Sequence, residues 1–395
     1  MNNGALPVQM WWAPRGYLRF QARLLTRLLT RLIWLAMLVL AGCAPPPSES
    51  SLPQSTANPK IPIKVVVVSM FEAGAERGDD PGEFQHWVER MPLATAWEFP
   101  LGEYPLYSND DGVLAICIGG GIANATASIM ALGLDTRFDL SQAYWLIAGI
   151  AGGDPQDTSL GSAVWANHVV DGDLLYEIDG REIPKDWPYG LIPLGASEPA
   201  EDPGDIYTNW TLNTIHFALN QELAQWAYAT TASIALPDHP EMRAYRALYE
   251  DFPNAQHPPR VMQGETLAAS TYWHGERMNE WANDWVALYA GEQANFVTSN
   301  MEDSGTLTAI ARLARDGYAD ARRVLVLRSV SNFTMPPSDK AAAWSTTAPY
   351  PAGGKPALES AFLVGREVIS ELVANWQAYR STTPSSPIHE PTASE

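Results

Sequence analysis

The sequence predicts an α/β protein, a three-layer α/β/α sandwich around a mixed, mainly parallel sheet. Three observations predict it. Short β-branched runs such as Ile63–Val68 (IKVVVV) and Val113–Ile118 (VLAICI) read as strands buried on both faces. Segments with helical apolar spacing alternate with such runs. Glycine-rich or polar stretches fall at strand ends, where open α/β sheets hold their ligands.

The elements follow in order. Ile63–Val68 is the first strand, and Val113–Ile118 repeats its pattern before Gly119-Gly120-Gly121. Asn124–Leu134 has helical spacing. Tyr144–Ile150 is a third buried strand, ending in the small residues Ala151-Gly152-Gly153, which read as a loop. Val164–Val170 and Asp173–Ile178 read as a strand pair around an Asp171-Gly172 turn. Leu212–Thr230 and Pro240–Asp251 carry helical patterns. Val261–Glu265 is a short strand ahead of the aromatic group Tyr272-Trp273-His274. Asn295–Thr298 leads as a strand into Asn300-Met301-Glu302. Ser304–Ala314 is a helix, Arg323–Leu327 a strand, and Ala357–Gln377 the closing helix.

Composition narrows the function. With 45 acidic against 25 basic residues and a net charge of −20, the chain would be repelled by phosphate backbones, which excludes nucleic acid as a partner. A hydrophobic fraction of 46% excludes disorder along the whole length. Two cysteines make neither a disulfide framework nor a four-thiolate metal site, and Cys117 reads as a buried small hydrophobe. Seven scattered histidines, without paired spacing beside carboxylates, predict no metal, and no other cofactor is expected.

The first 42 residues read as an export signal. Arg15, Arg19, Arg23, Arg27 and Arg31 precede the ten apolar residues Leu32–Ala41, a run too short to span a bilayer but of signal-peptide length. Leu40-Ala41-Gly42-Cys43 resembles the lipobox of bacterial lipoproteins. That resemblance implies lipidation at Cys43 and, with Ala44 following it, the periplasmic side of the outer membrane. An ordinary cleaved signal with an incidental cysteine is the alternative. Residues 43–61 read as a flexible tether, 62–380 as the single folded domain, and 381–395 as a disordered tail rich in Pro, Ser and Thr.

Four blocks in this order resemble the purine nucleoside permease family: Val65–Glu76 (VVVVSMFEAGAE), Gly119–Ser128 (GGGIANATAS), Ala148–Gly153 (AGIAGG), and Ser299–Gly305 (SNMEDSG) with Arg328–Phe333 (RSVSNF). The resemblance covers nearly all of residues 62–380 and implies a nucleoside phosphorylase-like fold with purine nucleosides as ligands. It implies that Met301 packs under the sugar while Glu302 accepts hydrogen bonds from the ribose hydroxyls. Ser331 and Asn332 fall where related enzymes face N7 of the purine. Many of these carry an aspartate that protonates the leaving base, whereas the amide of Asn332 transfers no proton. Glu72 falls near the position of a water-activating acid.

Glycine supplies close backbone approach at Gly120, Gly121, Gly152 and Gly153. No Lys or Arg occurs between Asp139 and Glu177, which disfavours phosphate as a co-substrate without removing it. Tyr272 and Trp273, with Trp281, could stack on a base, or form a core or interface cluster. His274 reads as a hydrogen-bonding partner. The expected function is purine nucleoside binding in the cell envelope with N-ribosyl cleavage, hydrolysis favoured over phosphorolysis. The alternative is a non-catalytic nucleoside-binding component of uptake, since no segment after residue 43 has 18 consecutive apolar residues. A homo-oligomer and a transporter partner are both left open.

Overall fold

Strand Val65–Ser69 (β1) carries consecutive valines because it is buried on both faces. Val66 and Val68 join one core cluster, while Val65 and Val67 join another. The period-two alternation of a strand divides them in this way. A computed structural model describes residues 59–199, 213–348 and 350–386. The lipobox with Cys43, the signal segment and most of the tether lie outside the described residues, as does most of the tail.

Helices cover both faces of the sheet. Ile122–Gly133 (α2) and Asp303–Arg315 (α6) contribute Ile129, Leu132, Leu307 and Ile310 to one face. Phe84–Arg90 (α1), Gln221–Thr231 (α3) and Lys355–Ala374 (α7) cover the other with Phe84, Trp87, Leu223 and Phe362. This is the expected three-layer sandwich. Glu276–Ala290 (α5), which packs Trp281, Trp285 and Val286 into a third cluster, and α1 were not anticipated. Pro240–Arg246 (α4) ends earlier than its pattern suggested.

Among the described residues the main sheet has twelve strands. After β1 come Thr95–Trp97 (β2), Leu106–Ser108 (β3), Val113–Cys117 (β4), Tyr144–Gly153 (β5) and Ala163–Trp165 (β6). His168–Asp171 (β7), His216–Ala218 (β8), Val261–Gln263 (β9), Glu265–Ala268 (β10), Phe296–Asn300 (β11) and Val324–Phe333 (β12) complete it. The order is β8-β7-β10-β11-β5-β1-β4-β3-β2, with β12 pairing β5 and β6, and β9 pairing β6. Pairing is parallel at β1–β4, β1–β5 and β5–β12, and antiparallel at β5–β11, at β6–β12 and at both ends of the main path.

Strand β5 organises the sheet. β12 runs along one edge of it from Trp145 to Gly153. The other edge is shared: β1 pairs residues 144–147, and β11 pairs Gly152 and Gly153. The interval between those two partners, around Gly149 and Ile150, is where the sheet opens. Ala151–Gly153 is therefore strand and not the expected loop.

Two other readings change. β7 does not pair with Leu175–Glu177, which pairs instead with Leu191–Pro193. Asp171 Oδ1 accepts from the N–H groups of Asp173 and Leu174 and turns the chain out of the sheet. The expected helix from residue 212 starts only at Gln221, where Asn220 caps it, because His216–Ala218 extends the sheet beside β7. Cys117 is buried in β4, and burial pushes its thiol pKa far up. No helix among the described residues is long and apolar enough to cross a membrane.

Candidate functional site

The opening beside Ile150 is filled by Glu83, at the entrance to α1. One carboxylate oxygen accepts from Met70 N–H and the other from Ile150 N–H, each at 2.7 Å. Glu83 thus bridges the end of β1 and the unpaired interval of β5. It is 5% exposed, and burial pushes its pKa up to about 7, against the opposing effects of Arg328 and those amides.

Glu302 approaches from the end of β11. Asn300 Oδ1 accepts from the N–H groups of Glu302 and Asp303, both at 3.0 Å, and so starts α6. One Glu302 oxygen accepts from Gly121 N–H at 3.1 Å, where Gly121 adopts φ 88°. The other accepts from Met301 N–H at 3.2 Å. Burial raises the Glu302 pKa as well. Arg328 of β12 passes over Gly149, which lacks the Cβ that would block it. Its guanidinium pairs with both oxygens of Asp303, donates to Ile150 O at 3.2 Å, and lies 3.5 Å from Glu302.

A cleft adjoins this cluster. Gly152, Tyr272, Trp273, Met301 and Asn332 line it, with Thr334. Five residues singled out in the sequence therefore come together, from four separate segments. About 30 Å³ of the cleft is open to water, room for a few molecules. Asn332 donates to the Tyr272 hydroxyl at 2.9 Å and accepts from Ser331 and Tyr350. Both Tyr272 and Asn332 also line a second cleft with Tyr245, His274 and Tyr350, so their hydrogen bond forms a common wall. Tyr272 is 58% exposed and tethered by this contact. Trp273 Nε1 is a buried donor without a partner among the described residues.

Other expectations are placed differently. Glu72 does not join the Glu83–Arg328–Glu302 cluster; its oxygens accept from Ala73, Gly82 and Gln85 N–H groups and clasp the connection into α1. A Cβ on Gly153 would strike Val330 and Thr158, so this glycine serves packing, whereas Gly152 faces Asn332 and Thr334. Around Gly120 there is open space. The Ser331 hydroxyl reaches Ala151 O and the Asn332 side chain. Trp281 is 1% exposed and belongs to the core with Trp285, not to a stacking surface. His274 contacts Ser345, and burial lowers its pKa.

Glu83, Asp303 and Arg328 were missed as site residues. The connection of residues 70–82 separates Glu83 from β1, leaving only an acid at a helix start as its signal. The stretch of chain around Gly152 carries no basic residue, while Arg328 arrives from the neighbouring strand. Among the described residues no cluster of His, Cys, Asp and Glu is placed to hold a metal. A larger groove of 850 Å³ opens between Asn167, His168, Gln221, Gln263, Glu265 and Gln293. It contains none of the motif residues.

The family model described as purine nucleoside permease matches residues 62–384. A purine nucleoside permease of Candida albicans is 30% identical over 328 residues, covering 80% of this chain and 77% of that protein. A probable purine nucleoside permease of Schizosaccharomyces pombe is 30% identical over 283 residues, covering 68% and 77%. Among solved structures, the 5′-methylthioadenosine/S-adenosylhomocysteine nucleosidase of Helicobacter pylori superposes with a TM-score of 0.45 at 16% identity, covering 79% of this chain and all of that one.

Proposed function

The chain belongs to the purine nucleoside permease family, and from that footing we propose that it binds purine nucleosides and hydrolyses their N-ribosyl bond. The observation that carries the reading is Glu83. A buried carboxylate whose pKa burial pushes up to about 7, clustered with a second buried carboxylate, has the properties of a general base.

The roles follow from the groups present. Each Glu302 oxygen holds one backbone N–H and keeps lone pairs for the ribose hydroxyls. Met301 and Trp273 supply apolar surface for sugar and base. Glu83 takes a proton from water, the water oxygen bonds to C1′, and the base departs with the electron pair of the broken C1′–N bond. Asn332 donates to N7 and so stabilises that charge without transferring a proton. Glu83 then returns its proton to the departed base.

Asn332 is free for this only after the exposed Tyr272 swings aside, which also enlarges the cleft. Hydrolysis is favoured over phosphorolysis because Arg328 is buried and bound to Asp303, and no Lys or Arg lines the cleft. The Leu40–Cys43 motif supports export and lipid anchoring at Cys43, with Ala44 favouring the outer membrane.

Incubating the protein with inosine or adenosine, with and without phosphate, and separating the products tests this. Free base and ribose without phosphate are expected. Ribose 1-phosphate formed only with phosphate overturns hydrolysis. Bound but uncleaved nucleoside overturns catalysis and supports a role in uptake.

A further inference from the structure

The buried cluster holds more acid than base. Glu83, Glu302 and Asp303 are 5%, 6% and 0% exposed, and Arg328, at 1%, is the cation among them. The Arg328 ion pairs run to Asp303 and Glu302, and none runs to Glu83. Asp303 takes both the Nε–H and the Nη2–H of the guanidinium, the bidentate arrangement that fixes its plane. The Nη1 side is left to the carbonyl of Ile150, whose N–H is held by Glu83.

We propose that Asp303 is a positioning residue: by taking the Arg328 fork it keeps the guanidinium from pairing with Glu83, leaving the water-activating carboxylate without an ionic partner. The inference rests on the role given to Glu83 above. Asp303 acts on the water only through Arg328 and Glu83.

The remaining surroundings of Glu83 do not substitute for Asp303. Glu302 opposes its ionisation, and the amides of Met70 and Ile150 favour it. On β4, Cys117 faces Glu83 and Glu72, but burial keeps its thiol neutral. Glu72 is held by backbone N–H groups of its own loop. Arg328 is thus the one strong lever on Glu83 within the cluster, and Asp303 holds it.

The test titrates Glu83 directly in the full-length protein by difference infrared spectroscopy, with its carboxyl band assigned through Glu83→Gln. No turnover is needed. In Asp303→Asn the released Arg328 is expected to lower the Glu83 midpoint by about one pH unit or more. Arg328→Met is expected to raise it. The paired variant Asp303→Leu/Arg328→Met removes both charges and should return the midpoint to within about half a unit of wild type. A midpoint unmoved in folded Asp303→Asn overturns the proposal. If that variant does not fold, a paired variant displaced as far as Arg328→Met alone overturns it instead.

The acid limb of the cleavage rate should move with the midpoint. A midpoint that moves while the limb stays, or a wild type that does not cleave, overturns the general-base reading, and the effect of Asp303 on Glu83 is then judged by the midpoints alone.

Discussion

Replacing Gly149 with alanine would place a methyl group 2.5 Å from a Glu83 oxygen, 2.7 Å from Met70 Sδ and 2.9 Å from Arg328 Nη1. None of the three is a loose end. Glu83 is held by two amides, Arg328 by Asp303, and Met70 is 2% exposed. Either Glu83 leaves Ile150 N–H, a charge-assisted bond worth about 1.5–3 kcal/mol, or the strands move apart at an overpacking cost of about 1–3 kcal/mol. The expected loss of stability for Gly149→Ala is therefore about 1–3 kcal/mol. Gly120→Ala is the control. Its added Cβ meets nothing within 4 Å and its φ lies outside the left-handed region, so a change under about 1 kcal/mol is expected. Urea denaturation followed by the fluorescence of the 15 tryptophans measures both. If Gly149→Ala is no less stable than Gly120→Ala, the close packing assigned to Glu83 and Arg328 over the β5 strand is refuted.

Glu83 also makes stability depend on pH. Its folded pKa is raised from 4.5 to about 7, so its contribution is full below pH 4.5 and is lost as pH rises through 7. The loss amounts to about 3 kcal/mol, and Glu83→Gln should lack it; urea curves at pH 4.5 and 8 with equal pH dependence in both proteins would falsify the assignment. Glu302→Ala should weaken nucleoside binding by about 2–4 kcal/mol while sparing a free purine base, as measured by calorimetry. Equal losses for both ligands would show that Glu302 does not touch the sugar. Asn332→Asp should raise the cleavage rate or move its optimum towards acid, because a protonated carboxyl can protonate N7 and an amide cannot. If rate and affinity survive Asn332→Ala unchanged, the base lies elsewhere.

Much of the layered fold was legible because its signals are local. An unbroken run such as Val65–Val68 requires cover on both faces, and two core clusters provide it. Gly153 announced a close approach that the packing requires. The start of α3 was misread because His216–Ala218 becomes strand only by pairing with β7, a contact its own composition does not encode.

The sequence by itself determined the buried central strands, the order of the motifs and residue types at the cleft such as Met301 and Asn332. Only the tertiary structure decided which acid shares the opened edge of β5. Glu72 and Glu83 are chemically identical in the sequence. One spends its oxygens on its own loop, while the other bridges Met70 and Ile150 where β1 and β5 part. Arg328 and Asp303 are likewise 25 positions apart and meet as an ion pair with almost no solvent contact. Burial and pairing set the charge of such groups, and both depend on neighbours that are remote along the chain.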